Sequence, residues 1–397
     1  MKNDNIHSLP RVVRNPQSLW DDATTMTCSL GCVSCVDRPI CGGAHNNASF
    51  FDCGDYCRCD DKEACDLVCR GKPKQYVERL REVGGLDFMN VPRASIVAIE
   101  ALPSMVPLIE HATARVSTVN SPIVALPLYA LVNANLGALR YPDRDALSQR
   151  FGIDQNARLV ISGVARDRKI ERYWAIQDRP ALLEQLVALN IALITPPNFS
   201  VLTDVPRTDN LHAMKRILIS AVEMLRAGLP TALHVNARTE RDYDRWAELI
   251  ADRPEIQYLS FEFATGAGRG ERLDWHVARL TELAARVPHV LRLVVRGGMR
   301  ALEPLRSAFT SVTMIDTDAF TKTRCRQEAH FRPDGKLVWR KRPTAPGEPL
   351  DALLQQNVAA LHSHHTILER IHDDRRRATA SRGFRPPDRA DRQAREG

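Results

Sequence analysis

From about residue 76 onward, short apolar runs alternate with amphipathic segments, and this alternation restricts the fold to a parallel α/β class. Each apolar run has the length of one buried strand, and the segments between them carry apolar residues at helical spacing. The runs are 123–126, 159–161, 191–194, 231–235, 258–263, 290–295 and 312–315. The helices predicted between them cover 180–189, 211–227, 240–252, 273–286 and 301–308. Strands that alternate with helices in this way predict parallel βαβ units.

With an eighth strand expected at Phe88–Val91, these units predict an α/β fold of the (β/α) barrel type, complete or irregular. A doubly wound open sheet is the alternative. The barrel domain is expected over 76–330, after an N-terminal cysteine-rich metal module over 1–75. A hairpin with an Asp-Gly turn, followed by a helix, is expected over 331–372, and a disordered basic tail over 373–397.

Nine of the ten cysteines lie in the N-terminal module. They are Cys28, Cys32, Cys35, Cys41, Cys53, Cys57, Cys59, Cys65 and Cys69. Their close spacing lets several thiolates reach one ion or cluster, and an odd number does not complete a disulfide framework. We therefore expect metal binding, with an iron–sulfur cluster such as 4Fe-4S favoured over zinc, and with disulfides as the remaining alternative.

The first three of these cysteines have the spacing C-x3-C-x2-C. Together with the preceding segment 23–27, this spacing resembles the signature of radical S-adenosylmethionine enzymes. The resemblance implies that Cys28, Cys32 and Cys35 hold a cluster whose open iron binds S-adenosylmethionine through its amino and carboxylate groups. Cys41 is available as a fourth ligand, and in that case the cluster has no open iron.

Polar side chains follow several of the predicted strands. Because the carboxyl ends of parallel strands lie on one edge of such a fold, we expect these side chains to line a single ligand pocket. The expected catalytic residues are Glu262, Asp316 and His234, with Glu262 or Asp316 as the general acid or base. The expected substrate-binding residues are Arg166, Asn198, Ser200, Asn236, Arg238 and Arg296. The glycine-rich turns 266–270 and 297–298 offer backbone N–H groups to a phosphate or carboxylate.

Each of these side chains also has a structural explanation. His234 can satisfy a buried carbonyl, and Asp316 can cap a helix. Glu262 lies among apolar residues, and a buried carboxylate needs a partner such as Arg296 or Arg238. A cavity shared by these side chains would favour the functional interpretation.

The segment Thr195–Pro206 reads T-P-P-N-F-S-V-L-T-D-V-P. It resembles the S-P-[DN]-F-S and D-x-P signature of an uncharacterised domain family found in phages and other mobile elements. The resemblance covers about residues 155–300, including Glu171–Trp174 and Asn236–Tyr243. It implies a barrel-like domain without an assigned activity, and the positions that it singles out are Asn198, Ser200, Asp204 and Asn236.

The net charge of +7 is a mild basic bias. The arginine-rich tail, with Arg375, Arg376 and Arg377, is most simply explained as a solvated, disordered end, and a nucleic-acid-binding arm is the functional alternative. We therefore predict a metal- or iron–sulfur-containing barrel enzyme that acts on a nucleotide or nucleic acid. The alternatives are a radical S-adenosylmethionine enzyme and a non-catalytic nucleic-acid-binding protein with a structural metal module. The polar start and the lack of a bilayer-length apolar run predict a cytoplasmic protein without a membrane partner.

Overall fold

The structure is a computed structural model, and it describes residues 82–202 and 207–383. The nine cysteines from Cys28 to Cys69, Asp204 and the last part of the basic tail, 384–397, lie outside the described residues. Within the described ranges the chain has a mixed α/β fold, as predicted, with a parallel sheet of five strands. None of the helices described there is both long and apolar enough to cross a membrane.

Two parallel sheets contain all seven predicted apolar runs. The five-stranded sheet contains β1 (Met105–Pro107), β7 (Ala232–His234), β8 (Tyr258–Glu262), β9 (Arg292–Arg296) and β10 (Val312–Asp316), in the order β1-β10-β9-β8-β7. The three-stranded sheet contains β2 (Ile123–Pro127), β5 (Arg158–Ser162) and β6 (Ile191–Ile194), in the order β2-β5-β6. Every neighbouring pair in these two sheets is parallel. The predicted parallel strands are therefore confirmed.

Single β-bridges join the edges of the two sheets on both sides. Leu108, which follows β1, forms a parallel bridge with Ala125 in β2. The N–H of Ile109 donates to the carbonyl of Ala125 at 2.8 Å. At the other edge, Ile194 in β6 forms a parallel bridge with Thr231, which precedes β7. Each edge of the smaller sheet therefore lies beside an edge of the larger one.

The helices follow the strands along the chain. They are α1 (Leu128–Leu131), α2 (Arg144–Phe151), α3 (Asp167–Trp174), α4 (Arg179–Val187), α5 (Arg207–Arg226), α6 (Glu240–Ala251), α7 (Glu271–Arg286), α8 (Leu302–Ala308), α9 (Asp318–Arg324) and α10 (Asp351–Gly383). The sequence explains several of their starts. Thr239 and Asp242 form a reciprocal capping box at α6, and Asp178 accepts the N–H of Ala181 at 3.1 Å at the start of α4. The five predicted helices correspond to α4 through α8 and are confirmed.

The eighth strand expected at Phe88–Val91 is absent, and that prediction is wrong. Phe88 and Val91 are buried, but the segment forms a turn in which the N–H of Val91 donates to the carbonyl of Phe88 at 3.3 Å. The additional parallel strand is β1, which has three residues and ends in Pro107. Such a short, proline-bounded run gives little sequence signal for a strand.

The predicted hairpin forms from β11 (Gln327–Phe331) and β12 (Leu337–Lys341), which pair antiparallel. A second hairpin, β3 (Val132–Asn133) with β4 (Ala138–Leu139), was not predicted. The last helix, α10, continues to Gly383 instead of ending near His372. Arg375 forms an ion pair with Glu303 in α8. The first part of the tail predicted to be disordered is therefore helical, and that prediction is wrong for residues 373–383.

The segment 82–93, which we call the entry segment, leads to β1, and two cationic side chains, Lys215 and Arg253, donate hydrogen bonds to its backbone carbonyls. Lys215 in α5 is fully buried, and its ammonium group donates to the carbonyl of Asp87. Arg253, which follows α6, donates to the carbonyl of Pro92 at 3.0 Å. These bonds satisfy carbonyls that have no strand partner.

A separate apolar cluster, which we call the sheet-face cluster, occupies one face of both parallel sheets. Its buried members are Val106, Leu108, Ile123, Ala125, Val160, Leu193, Ala232, Tyr258, Val294 and Ile315. They come from β1 and the residue after it, and from all seven of the other parallel strands. The other face of the sheets belongs to the larger core, which includes side chains from the helices.

Candidate active site

The pairing register places Glu262 and Arg296 side by side on one face of the larger sheet. These two residues end β8 and β9 and are Cα partners. His234, at the end of β7, is the partner of Ser260, two residues before Glu262. Because side chains alternate between faces along a strand, all four point to the same face. Val294 precedes Arg296 by two residues, so this is the face of the sheet-face cluster.

The Glu262 carboxyl is enclosed but incompletely hydrogen bonded. Its side chain is 3% exposed, and its Oε1 accepts the N–H of Ala264 at 2.8 Å. Its Oε2 lies 3.7 Å from Arg296 Nη1, which is too long for a hydrogen bond. Among the described residues Oε2 has no hydrogen-bond partner. Burial raises the pKa of Glu262 to about 7, although Arg296 and the Ala264 N–H act in the opposite direction. The carboxyl therefore exchanges a proton near neutral pH.

Arg296 places a positive charge at the same position. Its side chain is 23% exposed, so the guanidinium group is partly open to solvent. Its Nε is buried and has no hydrogen-bond partner in the described part of the chain. A guanidinium group presents a planar set of donors that matches phosphate and carboxylate oxygens. Arg296 therefore retains donors for an anionic ligand.

His234 lies deeper on this face and is neutral at neutral pH. Its side chain is buried, and its Nδ1 is 3.1 Å from the Ser260 Oγ. The Ser260 Oγ also donates to the carbonyl of Ala232 at 3.3 Å. Burial lowers the pKa of His234 to about 3. The imidazole therefore lies within hydrogen-bonding distance of Ser260 and does not supply a positive charge.

A second polar network joins the chain after β6 to the chain after β7. The Nδ2 of Asn236 donates to the Asn198 Oδ1 at 3.0 Å and to the carbonyl of Phe199 at 2.9 Å. Its Oδ1 accepts a hydrogen bond from Arg238 Nη1 at 3.2 Å. The structure therefore brings three predicted substrate-binding residues, Asn198, Asn236 and Arg238, into one network.

Arg166 and Ser200, the other two predicted substrate-binding residues besides Arg296, are exposed. The Ser200 Oγ donates to the Oδ1 of Asp167, the first residue of α3, at 2.6 Å. Arg166 directly precedes α3, and its carbonyl accepts the N–H of Lys169 at 2.9 Å. Both residues therefore lie on the solvent side of the strand ends, at the start of α3.

Asp316 lies on the opposite face of the sheet from Glu262. The residue before it, Ile315, is the Cα partner of Arg296, so alternation turns Asp316 away from Arg296. Its Oδ1 accepts the N–H of Ala319 at 2.9 Å, in the first turn of α9. Burial raises the pKa of Asp316 to about 6. The structure thus does not bring Asp316 to the other expected catalytic groups, and its carboxyl supports a helix start.

Gly297 and Gly298 let the loop after β9 pack against the loop after β8. Their φ angles are +72° and +74°, a region that favours glycine. A Cβ at Gly298 would lie 2.7 Å from the Phe263 Cβ, and a Cβ at Gly297 would lie 2.7 Å from the Ala264 nitrogen. The two glycines therefore allow the close approach of the loop that contains Ala264, whose N–H donates to Glu262.

Sequence analysis did not single out two polar residues on this face, Ser260 and Thr195. Thr195 follows β6, two residues after Leu193 of the sheet-face cluster, and its Oγ1 accepts the N–H of Gly163 at 2.8 Å. Ser260 precedes Glu262 by two residues in β8. Both can be found from the sequence because every second residue of a strand lies on the same face: Ser260 is two residues before Glu262, and Thr195 is two residues after Leu193.

Within the described ranges, no three or more His, Cys, Asp or Glu side chains form a group that could hold a metal ion. The nine predicted cysteine ligands lie outside those ranges. No protein-family model and no curated protein matches this chain. Its own residues therefore provide the grounds for a functional assignment.

Proposed function

We propose that this chain is an enzyme that acts on a nucleotide or a nucleic acid, with Glu262 as its general acid–base group. The observation that carries the proposal is a buried carboxyl at the end of a parallel strand, with its pKa raised to about 7 and an arginine beside it. Functional groups of parallel α/β folds are found at this edge of the sheet. Buried groups with displaced pKa values are concentrated at such sites.

The chemistry follows from the two oxygens of Glu262. The Ala264 N–H holds Oε1, so Oε2 is the atom that exchanges a proton with a substrate. When Glu262 is protonated, Arg296 loses its counter-charge and becomes a stronger anion ligand. Binding of a phosphate at Arg296 and protonation of Glu262 therefore favour each other.

The substrate class is supported by the positive charges and amide donors near the strand ends. Arg296 is partly open to solvent, and Arg238 belongs to the network of Asn198 and Asn236. The chain as a whole has a net charge of +7, which attracts polyanions. A nucleotide or nucleic acid supplies the phosphate groups that such residues recognise.

The finer fold is also a proposal: we infer that the two sheets close into a (β/α) barrel. Single bridges join β1 to β2 and β6 to β7, and the sheet-face cluster draws on all eight parallel strands. The inward side chains of a closed barrel form such a cluster. In a barrel, His234, Glu262 and Arg296 would surround one mouth.

For the cysteine-rich module we keep the proposal of an iron–sulfur cluster, with zinc as the alternative. If the iron held by Cys28, Cys32 and Cys35 has an open position, S-adenosylmethionine is a possible further ligand. Thiolate ligands persist in reducing compartments, so a cytoplasmic location belongs to the same proposal. The relationship to the phage-associated domain family also remains a proposal.

The metal proposal is tested by anaerobic purification followed by an absorbance spectrum and by iron and zinc analysis. We expect iron in stoichiometric amount, with the visible absorbance of a cluster. Stoichiometric zinc without iron would establish the alternative. Protein that contains neither metal would contradict both.

The catalytic proposal is tested by comparing the wild-type protein with Glu262→Gln. The substrates are nucleoside triphosphates and single-stranded DNA and RNA, and products are separated by chromatography between about pH 5 and pH 9. We expect turnover by the wild-type protein to follow a pKa near 7. The variant should lose that dependence and about 100-fold or more in rate.

Glu248→Gln is the matched control. Glu248 is an exposed residue of α6, 3.8 Å from Arg241, and its variant should behave as the wild-type protein does. The proposal fails if the wild-type protein binds these nucleic acids but converts none of the substrates, and if Glu262→Gln binds them equally. That outcome would identify a non-catalytic nucleic-acid-binding protein.

A further inference from the structure

A partly open cavity of about 120 Å³ lies between the hairpin β3–β4 and helix α3. Tyr129 and Tyr173, both buried, are among the residues that line it. Their rings meet edge to face, with centroids 6.3 Å apart. Asn133, in the hairpin, adds an amide to the lining.

The charged residues that line the cavity are all basic. They are Arg140, Lys169 and Arg172, and all three are exposed. Lys169 and Arg172 are three residues apart in α3, so they share one side of the helix. The acids of α3 are held elsewhere, because Asp167 accepts a hydrogen bond from Ser200 and Glu171 pairs with Arg216 at 2.7 Å. The described lining residues therefore combine positive charge with two side-chain amides, of Asn133 and Asn135, and include no carboxylate.

Hydrogen bonds connect this cavity to the polar network at the strand ends. The hydroxyl of Tyr129 donates to the carbonyl of Gly163 at 3.0 Å. The N–H of Asn198 donates to the same carbonyl at 3.2 Å, and the Asn198 Oδ1 accepts from Asn236. Tyr129 lies in α1, two residues after the end of β2, and Gly163 directly follows β5. The cavity therefore lies on the same edge of the sheets as Glu262.

We propose that this cavity is a phosphate subsite of the substrate that reacts at Glu262, and this inference rests on the proposed function. Pockets that hold a whole small molecule occupy about 300–1,000 Å³. The smaller volume here suits a phosphate group and not a complete nucleotide. Three cations and the side-chain amides of Asn133 and Asn135 supply hydrogen-bond donors for phosphate oxygens.

The position of the cavity indicates an extended ligand. The cavity lies at the ends of β2 and β5, whereas Glu262 ends β8, three strand spacings from β5 through β6 and β7. Neighbouring strands are separated by about 4.8 Å, so the ends of β5 and β8 are about 14 Å apart along the edge. One phosphate cannot contact both. The phosphate at the cavity therefore comes either from the chain of a nucleoside triphosphate or from the backbone of an oligonucleotide.

The experiment measures binding to the full-length chain and needs no turnover. One probe is a fluorescein-labelled single-stranded oligonucleotide of about 12 nucleotides, followed by fluorescence anisotropy. The other is ATP, followed by calorimetry. We expect the double variant Lys169→Gln with Arg172→Gln to bind at least one probe tenfold or more weakly. For the oligonucleotide, the slope of log affinity against log salt should fall by about 1.4, which corresponds to two lost phosphate contacts.

Two further variants make the test specific. Arg168→Gln removes an exposed cation of the same helix that is not among the lining residues, and it should bind as the wild-type protein does. Asn133→Asp places a carboxylate in the cavity while it keeps the acceptor that the Asn135 N–H uses. Asn133→Asp should weaken binding of the probe whose binding is weakened by the double variant.

The two probes distinguish the sources of the phosphate. Weaker binding of the oligonucleotide alone identifies the nucleic-acid backbone, and weaker binding of ATP alone identifies a nucleotide. Affinities within twofold of wild type for both probes would overturn the subsite, even if Glu262→Gln abolishes turnover. Conversely, loss of binding in the cavity variants without any turnover by the wild-type protein would contradict the proposed function and leave the subsite in place.

Discussion

Glu262 and Arg296 are paired neighbours at the ends of β8 and β9, and a gap of 3.7 Å separates Oε2 from Nη1. The carboxyl is almost fully buried, while the guanidinium group is partly exposed. An ion pair closed by a hydrogen bond would keep the carboxyl ionised. Here burial has the larger effect and raises the pKa of Glu262 to about 7. The charge of this pair therefore depends on pH in the neutral range.

The first prediction concerns stability and Glu262. Its pKa rises from 4.5 in the unfolded chain to about 7 in the folded one, so the folded protein holds a proton between these values that the unfolded chain has lost. The stabilisation is present below about pH 4.5 and is lost as the pH rises through 7. The free energy of unfolding of Glu262→Gln, relative to that of wild type, should therefore increase by about 3 kcal/mol when the pH is raised from about 5 to about 8. Urea unfolding at both pH values measures this free energy. For Glu248→Gln, the free energy of unfolding relative to wild type should be the same at both pH values.

The second prediction concerns the acid side and His234. Burial lowers its pKa from 6.5 to about 3, so the unfolded chain takes up a proton that the folded protein excludes. Stability is therefore lost as the pH falls from 6.5 toward 3, by about 1.4 kcal/mol per pH unit for this group. In His234→Gln the free energy of unfolding should fall less steeply with decreasing pH. An unchanged slope would show that the imidazole is already protonated or solvated in the folded protein.

The third prediction separates packing from backbone strain at the loop after β9. Gly298 and Gly335 have similar φ angles, +74° and +78°, but only a Cβ at Gly298 meets an atom, 2.7 Å away in Phe263. Both substitutions to alanine cost about 1 kcal/mol of conformational strain. Gly298→Ala should cost a further 1–3 kcal/mol or so from overpacking. Equal melting temperatures for the two variants would show that the loop can move away from Phe263.

The fourth prediction tests the role of Asp316. Asp316→Ala removes the acceptor of the Ala319 N–H, so it should destabilise the protein by about 1 kcal/mol. Asp316→Asn keeps an acceptor, so it should be close to wild type in thermal unfolding near about pH 4. It should be more stable than wild type above about pH 6, where the buried wild-type carboxyl is ionised. Neither variant should change the pH dependence of turnover. If Asp316→Asn were folded but inactive, Asp316 would belong to the catalytic machinery after all.

The hydrophobic spacing of the sequence was sufficient to predict the parallel strands, but not the face that each terminal residue occupies. Glu262 and Asp316 both end a strand in the sequence. The pairing of Ile315 with Arg296 puts them on opposite faces. A shift of one residue in register reverses this result, and register depends on contacts between distant segments. The sequence alone was therefore enough to predict Arg296 as the partner of Glu262, but not to exclude Asp316 from the same site.

Local composition gave wrong predictions where a buried apolar segment is not a strand and where a charged segment is a helix. Phe88–Val91 is apolar and buried, yet it is a turn held against helices. Conversely, Arg166 was expected among the polar side chains at the strand ends, whereas it directly precedes α3, a helix that was not predicted. The charges of that short helix hid its apolar positions, Ile170, Tyr173 and Trp174, which are buried. The basic cavity beside α3 could not be predicted without the helix.

The entry segment has a mechanical consequence. Lys215 in α5 and Arg253 in the turn after α6 donate hydrogen bonds to its backbone carbonyls. No strand of the parallel sheets pairs with this segment of the described chain. A pulling force applied from the N-terminal side therefore acts on these two hydrogen-bonded contacts before it acts on β1. We therefore expect tension applied before residue 82 to break these two contacts before it acts on the strands that carry Glu262 and Arg296.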